Sequence, residues 1–126
     1  FTVGVCKLKG KMRAFPVTEI LSQNTFNDFN SKYSGQSALV TPADIDKSLE
    51  EKIHSTAIRI YQIMQCRCIA RVDFIYSEKD DKLYLLEVNS IPGQGSKSAA
   101  TQQVEAMGAK LSDFYTAYIE EALNLS

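Results

Sequence analysis

The sequence is poor in several features that would mark other classes of protein. It holds six glycines and three prolines in 126 residues, too few for a fibrous or disordered chain. No apolar run is long enough to predict a membrane span. The net charge is −1, so we expect no basic surface that would bind nucleic acid. These properties predict one domain, or part of one, with a single core.

Cysteine is also scarce, and its spacing matches no common zinc or redox motif. Cys66 and Cys68 form a C-x-C pair, and Cys6 is far from them in sequence. In a strand the two paired residues would share one face, and we expect buried apolar groups in a reducing cytoplasm. The chain opens at Phe1 within a strand-like run, so we expect Phe1 to be an internal residue of a longer protein.

Hydrophobic patterning predicts an α+β fold in which helices cover an antiparallel sheet. His54, the single histidine, falls beside the apolar stripe of the first helix and is predicted to be a solvated surface residue. The predicted elements are strands at 1–8 and 11–21, a loop at 22–41, a helix at 46–65 capped by Asp44 or Asp46, a hairpin at 70–89, and helices at 98–107 and 113–123, the first ended by Gly108 and the second capped by Ser112.

The predicted hairpin carries a group of polar residues at the end away from its turn. If its midpoint lies near residue 80, Asp73 comes to lie roughly opposite Glu87. Because side chains alternate along a strand, Arg71 shares a face with Asp73, and Asn89 shares one with Glu87. Oxygen ligands of this kind suit Mg²⁺, which is usually held by one or two carboxylates and substrate phosphates. The alternative is that these residues are ordinary solvated hairpin acids.

These residues resemble a known family. The runs RVD at 71–73 and LLEVNSIPG at 85–93, followed by Ser98, resemble the C-terminal lobe of D-alanine–D-alanine ligases, which are ATP-grasp enzymes. FTVGV at 1–5 is similar to the strand that enters this lobe, and FNDFNSKY at 26–33 is similar to the substrate-covering ω-loop. The resemblance implies that residues 1–126 are the C-terminal half of an ATP-grasp domain, without the N-terminal and central domains.

The resemblance also implies a nucleotide and metal site. Asp73, Glu87 and Asn89 would be ligands of two Mg²⁺ ions, or of Mn²⁺ in their place, that bridge the ATP phosphates. Arg71 would supply a permanent cation beside the transferring phosphoryl group. The nucleotide-binding set is implied to be Phe26, Lys32, Leu86, Glu87 and Asn89, with Phe26 and Leu86 as apolar walls of the adenine pocket.

A second group of residues is implied to handle the acceptor. Lys32 would reach the terminal phosphate, Tyr33 would help to close the site, and the Gly93 N–H would be an oxyanion donor. Ser98, together with Ala99, would bind the carboxylate of a second D-alanine. Ser98 also falls at a predicted helix N-terminus, where free N–H groups and the helix dipole favour an anion.

The implied activity is that of a cytoplasmic ligase. ATP would phosphorylate one D-alanine, and the amine of a second would attack the acyl phosphate to give the dipeptide for peptidoglycan synthesis. The family implies a homodimer formed through the absent N-terminal domain, and no membrane or nucleic-acid partner. Asn30 and Ala99 depart from the family pattern, so two alternatives stay open. One is another ATP-grasp ligase, such as a D-alanine–D-lactate type; the other is a non-catalytic binding module on the same lobe.

Overall fold

The computed structural model describes residues 1–21 and 39–123, and it has the predicted α+β architecture. One antiparallel sheet has the strand order β2-β1-β5-β6, and β3 and β4 pair in a second sheet. None of the helices in these two ranges is both long and apolar enough to cross a membrane. The elements are β1 (Thr2–Leu8), β2 (Lys11–Ala14), β3 (Glu19–Ile20), β4 (Leu39–Val40), α1 (Lys47–Ile63), β5 (Ile69–Ser77), β6 (Lys82–Asn89), α2 (Ala99–Ala106) and α3 (Leu111–Leu123).

Helix α1 covers one face of the four-stranded sheet. It begins where predicted, because the Asp46 side chain accepts the Leu49 N–H at 2.9 Å as an N-cap. His54 is half-buried, and its Nε2 donates to the Phe15 carbonyl oxygen at 2.8 Å, so the prediction of a solvated histidine is wrong. The core on this face is built from Val3, Val5, Val17, Ile53, Ala57, Tyr61, Ala70, Val72 and Phe74.

Helices α2 and α3 cover the opposite face, which the alternating residues of β1 and β5 reach. Phe15 and Phe114 meet edge to face there, with ring centroids 5.4 Å apart. Helix α2 is followed by Gly108 at φ +71°, the predicted stop signal. The buried residues of this second core are Cys6, Phe15, Ile69, Ala100, Val104 and Phe114.

Three boundaries differ from the predictions. Helix α3 starts at Leu111, which packs against the second core, so Ser112 lies inside the helix and is not its cap. The run at 11–21 is interrupted after β2, because Phe15 leaves the strand to pack under α3. Residues 39–40 of the predicted loop form β4 against β3, and residues 22–38 lie outside the described ranges.

The paired cysteines are not in a strand. Strand β5 begins at Ile69, and Cys66 and Cys68 precede it in a turn with Cys68 at φ +56°. Both are half-buried rather than buried, whereas Cys6 is fully buried as expected. Burial raises the pKa of all three thiols, that of Cys6 to about 12. All three are therefore neutral thiols at neutral pH.

Candidate active site

A bulge in the β5–β6 hairpin aligns its polar residues. From the turn to Phe74 the strands pair without a break, in a register that would place Leu86 opposite Asp73. Strand β6 holds one extra residue at this point, so Asp73 pairs with Glu87 instead. The predicted pairing is confirmed, and it depends on a bulge that the sequence pattern did not indicate.

One guanidinium lies between the two carboxylates of the patch. Arg71 Nε lies 3.0 Å from Asp73 Oδ1 and Nη2 lies 3.2 Å from Oδ2, a two-point contact. The same Nη2 lies 3.7 Å from Glu87 Oε1. The Asp73 side chain is 12% exposed and that of Glu87 is 62% exposed. With two carboxylates and one cation, the patch keeps a net negative charge that can attract a divalent ion.

Thr2 is a partner of this patch that sequence reasoning missed. It pairs with Asp73 across β1 and β5, and its Oγ1 donates to Asp73 Oδ1 at 2.5 Å. Thr2 is buried. The two residues are 71 positions apart, so only knowledge that β1 lies beside β5 could have revealed the contact.

Asn89 closes the patch and also ends the strand. It pairs with Arg71 across the hairpin, and its Oδ1 accepts the Ile91 N–H at 3.0 Å. That local hydrogen bond turns the chain out of β6. An amide oxygen has two acceptor positions, so Asn89 Oδ1 can still take a second partner.

The donor set of the patch fits a hard cation. Within residues 1–21 and 39–123, no group of three or more His, Cys, Asp or Glu side chains converges. The oxygens offered are those of Asp73, Glu87 and Asn89, with no nitrogen or sulfur ligand. Mg²⁺ takes such oxygen ligands and completes its shell with water and phosphate, so this incomplete set suits an ion that arrives with a nucleotide.

The loop that follows Asn89 returns to the start of α2. A Cβ built on Gly93 would lie 3.8 Å from Ser98 Cβ, in ordinary contact. Ser98 stands at the N-cap as predicted, but its side chain makes no cap bond. Its Oγ donates to Gly95 O at 2.8 Å and lies 3.0 Å from Thr101 Oγ1. Ala99 is buried at 4% exposure, so of the two acceptor residues Ser98 presents its side chain and Ala99 hides its methyl group.

A comparison with models of protein families identifies the family to which this chain is similar. Residues 1–120 match the model described as D-ala D-ala ligase C-terminus. The chain belongs to this ligase family. The match spans the charged patch, the loop at residues 93–98, helices α1 and α2, and all of α3 except its last three residues. The resemblance predicted from the sequence is therefore confirmed.

Curated relatives agree with the family model. The chain is 40% identical over 122 residues to the D-alanine--D-alanine ligase of Flavobacterium johnsoniae, an alignment that covers 97% of this chain and 37% of the relative. It is 41% identical over 119 residues to that of Bacteroides fragilis, with 94% and 36% covered. The chain therefore spans little more than a third of the length of these ligases.

Solved structures of the ligase family share the fold. D-alanyl-alanine synthetase A from Vibrio cholerae superposes with a TM-score of 0.76 at 26% identity, covering 97% of this chain and 38% of that one. The VanG D-Ala:D-Ser ligase from Enterococcus faecalis also gives 0.76, at 28% identity, covering 94% and 34%. The predicted antiparallel sheet covered by helices is confirmed.

The remaining predicted residues of the ligase site divide into two groups. Leu86 is the extra residue of the bulge, and its side chain is 59% exposed beside other exposed apolar groups such as Leu85. Phe26, Lys32 and Tyr33 lie outside the described residues. The part of the predicted site that lies within the described residues is the charged patch, Leu86, and the loop to Ser98.

Proposed function

We propose that this chain is the C-terminal ATP-grasp lobe of an enzyme that ligates two D-alanines to D-alanyl-D-alanine. The observation that carries the proposal is the Arg71 contact to both Asp73 and Glu87 on a chain whose relatives are named D-alanine--D-alanine ligase. In this reaction ATP phosphorylates one carboxylate, an amine attacks the acyl phosphate, and ADP and phosphate leave. The product would serve peptidoglycan synthesis in the cytoplasm.

Asp73, Glu87 and Asn89 would hold the Mg²⁺ that accompanies ATP. The resemblance to the family implies two such ions, and Mn²⁺ could replace them. The metal neutralises charge on the transferring phosphoryl group when bound. Arg71 contributes a second, fixed positive charge. Its two-point contact with Asp73 orients the guanidinium before substrate arrives, so no reorganisation is needed when negative charge develops.

The acceptor would bind at the start of α2. Ser98 lies beside Gly93, and its hydroxyl would turn from Gly95 O to donate to the acceptor carboxylate. The first-turn N–H groups, including that of Ala99, also favour a carboxylate. The Gly93 N–H would stabilise the oxyanion. Lys32 would reach the terminal phosphate, and Tyr33 would help to close the site over the acceptor.

Leu86 and Phe26 would contact the adenine. The exposed position of Leu86 on the bulge leaves its side chain available to a planar apolar group. A bulge beside a site is a common way to re-aim one side chain, and here it also brings Glu87 opposite Asp73. The same extra residue would therefore serve the base and the phosphates of one nucleotide.

A different acceptor is a second candidate. One structural neighbour is named as a D-Ala:D-Ser ligase, and Ala99 departs from the family pattern in the acceptor segment. The metal residues would be unchanged in such an enzyme, or in a D-alanine–D-lactate type, because they act on ATP and not on the acceptor. Acceptor identity therefore has to be tested separately from nucleotide use.

The test is phosphate release by the full-length enzyme with Mg-ATP, across a panel of D-amino acids and D-hydroxy acids, with the product mass determined. We expect D-alanine-dependent release with formation of the dipeptide. Turnover with another acid alone would keep the ligase chemistry and replace the acceptor. Silence with every acid, but Mg²⁺-dependent ATP binding, would favour a binding module.

Two controls separate the site from the rest of the molecule. Asp73→Ala should abolish Mg²⁺-dependent nucleotide binding, whereas Asp80→Ala, in the exposed turn of the same hairpin, should not. The 126-residue chain alone should give no turnover, because ATP-grasp enzymes hold the nucleotide between two lobes. Ligation by the isolated chain would contradict the assignment as a single lobe.

A further inference from the structure

A fully buried glutamine on α2 completes the sheet next to the charged patch. Gln103 is 0% exposed. Its Oε1 accepts the Gly4 N–H at 2.8 Å, and its Nε2 donates to Thr2 O at 3.1 Å and to Thr18 Oγ1 at 2.9 Å. A neutral amide is rarely buried this deeply, and here each of its polar atoms has a partner inside the protein.

The reason for this burial is a gap in the strand ladder. Gly4 accepts the Phe15 N–H at 2.8 Å, but the Phe15 carbonyl turns away and accepts from His54 on α1. The Gly4 N–H therefore has no strand carbonyl, and Gln103 supplies the missing acceptor. A side chain from each face of the sheet thus satisfies one backbone group that the gap would leave unpaired.

The same amide is joined to the charged patch through one residue. Gln103 Nε2 holds the Thr2 carbonyl, and Thr2 Oγ1 donates to Asp73 Oδ1. Asp73 in turn holds Arg71 in its two-point contact. The position of Gln103 therefore bears on the orientation of the carboxylate and guanidinium that would act on the phosphates.

Helix α2 lies this close to β1 only because position 4 has no side chain. A Cβ at Gly4 would be 3.0 Å from Gln103 Oε1 and 2.6 Å from the Phe15 ring. Ser98 is the N-cap of this helix, five residues before Gln103. The amide therefore fixes the placement of the acceptor end of α2 relative to β1.

We propose that Gln103 is a positioning residue that aligns the acceptor end of α2, with Ser98, to the Asp73–Arg71 pair. This rests on the proposed ligase function. Attack of an amine on an acyl phosphate is sensitive to alignment, and a displacement of about 1 Å can cost about a hundredfold in rate. Gln103 touches neither substrate; it acts through Thr2 and Gly4.

The experiment compares two nucleophiles in the full-length enzyme. Hydroxylamine is small and traps an acyl phosphate without needing the acceptor site, giving D-alanine hydroxamate, whereas dipeptide formation needs the aligned second D-alanine. In Gln103→Met we expect the ratio of dipeptide rate to hydroxamate rate to fall by about tenfold or more. Gln62→Met, exposed on α1, is the matched control and should leave the ratio unchanged.

The outcomes keep the two proposals distinct. If wild-type enzyme forms neither hydroxamate nor dipeptide, the proposed function fails, and the role of Gln103 fails with it. If wild-type enzyme forms both and Gln103→Met lowers them equally, the residue is merely structural and the alignment role is wrong. If both rates in a folded Gln103→Met enzyme equal those of wild type, the alignment role is wrong as well.

A milder variant tests the proposal if Gln103→Met does not fold. Thr18→Val removes one of the partners of the amide, together with the Thr18 Oγ1 bond to Thr41 Oγ1 at 2.6 Å, and leaves the Gln103 bonds to Gly4 and Thr2. We expect the ratio to fall in the same direction by about twofold. Should Gln103→Met not fold, an unchanged ratio in Thr18→Val would overturn the proposal.

Discussion

The two faces of the four-stranded sheet differ although the same strands build both. On the α1 face, Val3 and Val72 belong to a closed apolar core with Ile53. On the α2 face, their sequence neighbours Thr2 and Asp73 form a polar cluster. Strand periodicity therefore assigns alternate residues of one segment to the core and to the site.

The polar residues on the α2 face of the sheet are held by compensating charges and hydrogen bonds. Asp73 is buried, and its charge is compensated by Arg71 and by the Thr2 hydroxyl. In the parts of the chain that the structure describes, every buried side-chain nitrogen and oxygen has a hydrogen-bond partner. The α1 face is stabilised by apolar packing, whereas the α2 face combines a second apolar core with satisfied hydrogen bonds that fix the geometry around Asp73.

The largest expected effect comes from weakening the apolar face. Ile53→Ala should lower the free energy of unfolding by about 2–5 kcal/mol, because it leaves a cavity in a fully buried core. Urea unfolding of the 126-residue chain, followed by circular dichroism, measures the change. The matched control is Ile63→Ala on the same helix, where the side chain is 68% exposed; it should shift stability by less than about 0.5 kcal/mol.

The comparison of the two faces also predicts that Ile53→Ala leaves the catalytic rate of the folded enzyme unchanged. In the full-length enzyme, kcat per folded molecule should match wild type, because Ile53 packs on the side away from Asp73. A fall in kcat as large as that of a patch variant would mean that the two faces are not separable.

The second prediction breaks the polar face instead. Glu87→Gln should lower kcat more than about tenfold, or about 1.4 kcal/mol in the barrier, and raise the Mg²⁺ concentration needed for half activity. Its side chain is 62% exposed, so urea unfolding should be unchanged. Glu78→Gln, in the turn of the same hairpin, is the control that should keep full activity. Equal kcat values for the two variants would show that Glu87 does not belong to the active site.

Much of this arrangement is local and could be predicted from the sequence. The Asp46 cap and the apolar spacing of α1 depend on neighbours within a few turns. A turn centred near residue 80 was enough to place Asp73 roughly opposite Glu87, and the bulge supplies the exact pairing. The bulge at Leu86 was not indicated, because one extra residue in a strand leaves no mark in an already irregular hydrophobic pattern.

The parts that could not be predicted are contacts between distant segments. Thr2 meets Asp73 across 71 positions, and Gln103 meets Gly4 across 99. Such contacts depend on the strand order and on which helix lies on which face, and local patterns do not determine either. His54 was misjudged for the same reason, since its partner is a carbonyl released by the gap after Gly4.

The smallest effect is expected at the acceptor end of the polar face. Ser98→Ala in the full-length enzyme should raise the KM for the acceptor by about two- to tenfold, the effect of one hydrogen bond, with kcat little changed. The contact would exist before and during reaction, so its loss affects binding in both states. The fold should persist, because the Ser98 side chain makes only local bonds to Gly95 and Thr101.

Ser96→Ala is the matched control, since Ser96 is exposed in the same loop. Steady-state rates at varied acceptor concentration should give the same acceptor KM for wild type and Ser96→Ala, and a higher acceptor KM for Ser98→Ala. If kcat alone fell in Ser98→Ala and the acceptor KM did not move, Ser98 would not bind the carboxylate. The hydroxyl would then act in the loop itself, and the acceptor would have to be held by the N–H groups at the start of α2 alone.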